Sequence, residues 1–213
     1  MNNLNIKSII FDLGGVIINL DMQRTIDAFE RLGCKNFNQM YSQLSQSELF
    51  DKFDKGQIGE MDFFSKIISW FNLEAGVAEL VKVWNEMLLD FPQHRLDKLK
   101  SLKKDYRTFL LSNTNETHIE SFESILEKEN GYKNLSEFFE RDYYSCRMNM
   151  RKPELEIFNS VLNENALDPQ ETIFIDDTII HVEAAKKCGI KAFLLPKGEE
   201  VFEFLEREVG IVI

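Results

Sequence analysis

A chain of 213 residues, 44% hydrophobic and 29% charged, is long enough to bury a globular core and leaves room for a smaller inserted unit. Its formal net charge of -11, with no block of lysines and arginines, argues against nucleic acid or an acidic membrane as partner.

Ile9, Ile10 and Phe11 form a short apolar run, which predicts a strand buried on both faces of a parallel sheet with Asp12 at its carboxyl end. Gly14 and Gly15 follow, where the lack of side chains lets backbone N–H groups approach an anion. That interruption of the apolar stretch also removes the case for a signal core or membrane span, so a cytoplasmic protein is expected. After Ile18 the periodicity turns helical as far as Pro92. Met61, Phe64, Ile68 and Phe71 make one stripe, and Val77, Leu80, Val81, Trp84 and Leu88 make another, across the loop from Asp54 to Glu60. The pattern predicts an α-helical bundle at residues 19–90, inserted between 1–18 and 91–213 of an α/β core.

From Pro92, expected in a first helical turn, strands and helices alternate. Strands are expected at 108–112, 142–145, 172–175 and 191–195. One intervening helix carries Ile119, Phe122, Ile125 and Leu126. A second, opened by Pro153, buries Ile157, Phe158, Val161 and Leu162, and a third ends at Gly189. Such alternation predicts a Rossmann-like parallel sheet with helices on both faces. Cys34, Cys146 and Cys188 show no C-x-x-C spacing and are expected to be reduced, mostly packing residues.

Asp12, Ser112 and the pair Asp176-Asp177 each follow a buried strand, and Lys152 opens the helix after a short one. In a parallel sheet those ends converge on one edge. Together they suit a phosphoryl group: a carboxylate to attack, a hydroxyl and a lysine to hold anionic oxygens, and paired acids for a divalent cation. Singly, each has a plainer reading as a turn residue, helix cap or surface lysine. Their joint occurrence favours the site.

The motifs Phe11-Asp12-Leu13-Gly14-Gly15-Val16, Leu110-Leu111-Ser112-Asn113, Arg151-Lys152-Pro153-Glu154 and Phe174-Ile175-Asp176-Asp177, with Ala184, Ala185 and Gly189 downstream, resemble the four motifs of the haloacid dehalogenase superfamily. The helical insertion falls where that family carries its C1 cap. The resemblance implies a Mg²⁺-dependent phosphatase acting on a small phosphorylated metabolite, with Asp12 as nucleophile. Ser112, the Asn113 backbone N–H and Lys152 would hold the phosphoryl group. Asp12, the Gly14 carbonyl, Asp177 and, in support, Asp176 would hold Mg²⁺.

Two departures stand out. Family phosphatases carry a second Asp two residues after the nucleophile as general acid and base, and here that position is Gly14, as in the subgroup with bacterial glucose-1-phosphate phosphatases. A sugar phosphate is the substrate this suggests. His181 stands where relatives have Asn, either as a substitute proton carrier or as an ordinary polar residue. Arg24 is a candidate for a second anionic group of the substrate, or a solvated helix-face residue. Asn19 and Asp21 lead into the cap as substrate contacts, hinge or helix cap. His94 and His118 are given no role. The alternatives are a metal-independent dehalogenase, which has no use for an acid pair holding a cation, and a non-catalytic phosphometabolite-binding protein, monomeric or homodimeric.

Overall fold

The computed structural model describes residues 5–35, 37–45 and 47–211. Five strands, β1 (Ser8–Phe11), β2 (Arg107–Ser112), β3 (Arg141–Tyr144), β4 (Thr172–Asp176) and β5 (Lys191–Leu194), form one parallel sheet in the order β3-β2-β1-β4-β5. Strand alternation divides the sheet between two cores. Ile9, Phe11, Leu110 and Ile175 pack on one face with residues of α6 (Gln93–Leu102) and α7 (Glu116–Asn130). Ile10, Phe109, Leu111 and Phe174 pack on the other with α9 (Leu155–Glu164) and α10 (Ile179–Lys187). All eight strand residues are fully buried, which is why these strands read as continuous apolar runs.

Helices α1 (Met22–Arg31), α2 (Phe37–Leu44), α3 (Glu48–Asp54), α4 (Glu60–Phe71) and α5 (Val77–Trp84) enclose a separate core. Trp84 sits within it, with the rings of Phe29, Tyr41, Phe50, Phe63 and Phe64 against it at 5.4 to 6.2 Å. A buried aromatic of this kind contributes roughly 1.5 to 3 kcal/mol from area alone, and its edge-to-face neighbours add to that.

The chain enters and leaves the helical unit through two adjacent segments. Asn19 makes two backbone hydrogen bonds across this gap, its N–H donating to the Asp90 carbonyl and its carbonyl accepting from Leu89 N–H. The Asn19 side chain donates to Asp90 and accepts from Arg95, both at 3.0 Å, while Asp21 caps α1 by accepting from Gln23 N–H. Both residues serve the connection.

A second attachment lies at the end of α3. Lys55 pairs with Asp51 at 2.9 Å and with Glu154, ahead of α9, at 2.5 Å. Gly56, at φ +66°, lets the chain pass so close to the Cys146 carbonyl that a Cβ would overlap it.

Several local expectations are corrected. Pro92 is the N-cap of α6 rather than part of its first turn. Pro153 lies before α9, whose N-cap is Glu154, and the Lys152–Pro153 peptide is cis. Lys152 therefore belongs to a turn, not to a helix start. In α4 the buried residues are Phe63, Phe64 and Ile67, and Met61 is exposed. Helix α5 ends at Trp84, and Leu88 instead bridges Leu20 in the connection. Ser145, expected to end a strand, instead opens the short helix α8 (Ser145–Met148). The cysteines are free, Cys188 half-buried and the other two buried. Among the described residues no helix is long and apolar enough to cross a membrane.

Candidate active site

Strand order changes direction at β1: the chain builds outward through β2 and β3, then returns to place β4 on the other side. Such a switch point opens a crevice beyond the carboxyl ends of the two strands. The register aligns Phe11 with Ile175, and Asp12 N–H donates to the Ile175 carbonyl at 2.9 Å. Asp12 and Asp176 therefore leave adjacent strands at the same level.

Lys152 reaches between them. Its Nζ donates to Asp12 Oδ1 at 2.7 Å and to Asp176 Oδ2 at 2.6 Å, with all three side chains buried. Burial alone would lower the lysine pKa, and the two carboxylates outweigh it, so the cation is held charged. Burial, with the neighbouring Asp176 charge, lifts Asp12 to about 7 against the opposing pull of Lys152. Burial would raise Asp176 too, but Lys152 and His181 overcome it and bring Asp176 down to about 2.

Asp176 is fully engaged. Its Oδ2 also accepts from His181 Nδ1 at 3.0 Å, and its Oδ1 accepts from Thr178 N–H at 2.8 Å. Asp177 is less committed, accepting among the described residues from the Thr178 hydroxyl alone, at 3.1 Å, and burial with the Asp176 charge raises its pKa. Asp12, Asp176 and Asp177 each offer a carboxylate oxygen within 4.8 Å of the others, a hard oxygen donor set that fits a divalent cation such as Mg²⁺. Gly15, at φ +70°, makes room for this: a Cβ there would stand 2.5 Å from Asp177 Oδ2. At Gly14 a Cβ would meet Leu20 Cδ1 at 2.7 Å, so an acid at this position would need Leu20 to move.

Ser112 ends β2, buried, and lines the same cavity as Asp12. The Asn113 side chain holds the lysine turn in place: Nδ2 donates to the Lys152 carbonyl at 2.8 Å and Oδ1 accepts from Lys152 N–H at 2.9 Å. Strand end and lysine are thus fixed to one another by two part-buried hydrogen bonds between the Asn113 side chain and the Lys152 backbone.

The cavity, 360 Å³, lies between these groups and the helical unit, whose Leu20, Tyr41, Phe50 and Trp84 form part of its wall. Arg24 does not reach it. That residue is exposed on α1, and the arginine that lines the cavity is Arg151. Arg151 pairs with Asp54 at 3.3 Å and Asp51 at 3.8 Å, and lies 5.6 Å over the Phe50 ring. Its position beside Lys152 was the available signal. His118 also lines the cavity, in the first turn of α7, six residues after Ser112 in a polar stretch that reads as an ordinary helix cap.

Residues 6–189 match the hydrolase family described as haloacid dehalogenase-like hydrolase. A curated relative, D-ribitol-5-phosphate phosphatase of Bacteroides thetaiotaomicron, is 27% identical over 195 residues, spanning 92% of this chain and 94% of its own. A haloacid dehalogenase family enzyme of the same organism, solved in complex with magnesium and inorganic phosphate, is 33% identical with a TM-score of 0.83, covering 93% of this chain and 98% of that one. A hydrolase structure of this type from Porphyromonas gingivalis is 28% identical with a TM-score of 0.85, covering 97% and 99%.

Proposed function

The chain belongs to the haloacid dehalogenase-like hydrolases, and on that premise we propose that it is a Mg²⁺-dependent phosphatase in which Asp12 takes the phosphoryl group of a small phosphorylated metabolite and passes it to water. The observation that carries this reading is the placement of Asp12 against Lys152 beside a second and third carboxylate. A dehalogenase attacking carbon has no use for that cation-binding acid pair.

Asp12 is the nucleophile: attack on phosphorus forms its acyl phosphate and breaks the bond to the leaving oxygen, which takes its proton from solvent because Gly14 offers none. Water then cleaves the acyl phosphate, giving its proton back to solvent, releasing phosphate and regenerating the carboxylate. Ser112, the Asn113 N–H and Lys152 hold the phosphoryl oxygens. Asp12, Asp177 and the Gly14 carbonyl would hold Mg²⁺, with Asp176 in support, and the ion would supply positive charge against the phosphoryl oxygens. Residues 19–90 act as the cap over a core of 1–18 and 91–213; residues 1–4, 36, 46, 212 and 213 of this division lie outside the described ones. The named activity of the Bacteroides relative supports a sugar or sugar-alcohol phosphate as substrate class. The cytoplasm is the location this fits.

The test is phosphate release from a panel of sugar, sugar-alcohol and small alkyl phosphates, with Mg²⁺ or with EDTA. Release that falls at least about 100-fold in EDTA is expected. Silence across the panel, with Mg²⁺ and phosphate still bound, would favour the binding-protein reading. Gly15→Ala is expected to displace Asp177, weaken Mg²⁺ binding by about tenfold or more, and lower stability by about 1 to 2 kcal/mol from the positive φ. An unchanged Mg²⁺ titration would remove Asp177 from the ligand set.

A further inference from the structure

His118 is fixed on every side but one. Asn115, the N-cap of α7, accepts from its backbone N–H at 3.0 Å. Its ring lies flat on buried Trp84, 5.8 Å between centroids at 12°, so the helical unit provides the shelf on which a residue of the α/β unit rests. His118 Nδ1 is 2.7 Å from Asn85 Oδ1, and Asn85 Nδ2 donates to the Thr117 carbonyl at 3.3 Å. That second bond orients the amide, so Oδ1 accepts and the imidazole proton sits on Nδ1. Nε2 is left with a lone pair and has no hydrogen-bond partner among the described residues. The ring lines the cavity that also holds Asp12 and Ser112.

Burial pushes the imidazole down to about 4, so it is neutral near pH 7. It brings no positive charge to a phosphoryl group and no proton to a leaving oxygen. What it offers is one neutral acceptor in a wall where apolar residues such as Leu20, Met87 and Phe122 stand beside polar ones such as Tyr41, Asp54 and Arg151. A neutral acceptor in such a wall is satisfied by a ligand that donates, and an alcohol does so.

We infer that His118 is a specificity-determining residue whose Nε2 accepts a hydrogen bond from a hydroxyl on the leaving group, so that the site selects polyhydroxylated phosphates over plain alkyl phosphates. The inference rests on the phosphatase reading above and adds the residue that reads the substrate beyond its phosphate. It also separates the two histidines of the cavity. His181 is tied to Asp176, whereas His118 is held by Asn85 and Trp84 at the cavity wall, where it would meet the organic part of the substrate.

The experiment compares kcat/KM for a pentitol 5-phosphate with that for n-pentyl phosphate, matched in carbon number, in the wild type, His118→Phe, His118→Gln and Asn85→Leu. The quantity read is the ratio of the two values. His118→Phe keeps a ring on Trp84 and removes the acceptor, and the ratio is expected to fall about tenfold. His118→Gln retains an acceptor and is expected to keep more of the preference. Asn85→Leu leaves the imidazole in place but frees its proton to move to Nε2, and should lower the ratio as well. A ratio unchanged in both His118→Phe and Asn85→Leu overturns the inference, as does an equal fall in the Phe and Gln variants, which would mark a packing role. p-Nitrophenyl phosphate separates the two levels of failure: if the wild type hydrolyses it but shows no preference for the pentitol ester, the hydroxyl contact is wrong. If the wild type hydrolyses none of the three, the phosphatase reading falls first.

Discussion

Asp12→Asn is expected to reduce Mg²⁺-dependent phosphate release by about 10⁴-fold or more while leaving the fold intact. The amide keeps the shape of the carboxylate and can still accept from Lys152, but it is no nucleophile. Turnover within tenfold of wild type would remove Asp12 from that role. The same variant carries a second, independent signature. Wild-type Asp12 is raised from 3.8 to about 7, because it is buried and faces Asp176. A carboxyl whose folded pKa lies above its unfolded one binds its proton more tightly when folded, so it costs stability progressively as pH rises between those two values. The asparagine, which cannot ionise, escapes this cost. In Mg²⁺-free buffer the melting temperature of Asp12→Asn relative to wild type should therefore climb from pH 4 to above pH 7. A difference that is flat or falls over that range would contradict the electrostatics of the site.

Lys152→Met is expected to lower stability by about 3 to 5 kcal/mol, because a similar volume is kept while two buried carboxylates lose their shared cation. For a chain of this size that corresponds to a fall in melting temperature of roughly 6 to 20 °C. The sign with pH follows from the partners. Asp176, lowered to about 2 chiefly because Lys152 outweighs its burial, contributes stability above its unfolded value near 3.8, and that contribution fades as pH falls towards 2. Removing Lys152 removes it, so the Asp176 share of the deficit should be full at neutral pH and shrink in acid as Asp176 protonates. Orthovanadate affinity should fall with it. A variant as stable as wild type at pH 7, or with unaltered vanadate binding, would show that the lysine neither neutralises the acids nor holds the anion.

The sheet was legible in the sequence because its central strands are buried on both faces. Ile9-Ile10-Phe11 and Ile173-Phe174-Ile175 leave no polar position to confuse the reading, and the acids that end them mark the site. The phase of α4 was not legible. In Phe63-Phe64-Ser65-Lys66-Ile67-Ile68 apolar residues come in adjacent pairs, so more than one stripe fits a 3.6-residue period. The stacked rings of Phe53 and Phe63, 3.9 Å apart, turn Phe63 and Ile67 inward and leave Met61 outside. Arg24 and Arg151 show the same gap at the level of the site. Both are arginines near a motif, and only the tertiary contact between α3 and the lysine turn brings Arg151 to the cavity. His118 was overlooked because its role depends on Trp84 and Asn85, more than thirty residues earlier in the chain.

Lys55 and Arg151 clasp the helical unit to the segment Arg151–Glu154, far from the paired connection at Asn19 and Leu89. Any swing of the unit away from the sheet edge must part both ion pairs and pull on the turn that presents Lys152. Rim and centre are thereby joined through four consecutive residues, Arg151 to Glu154. The clasp pairs are partly exposed, whereas the Asp12–Lys152 pair is buried. Ionic strength accordingly acts on the two unequally, loosening the clasp while sparing the charges that meet the phosphoryl group.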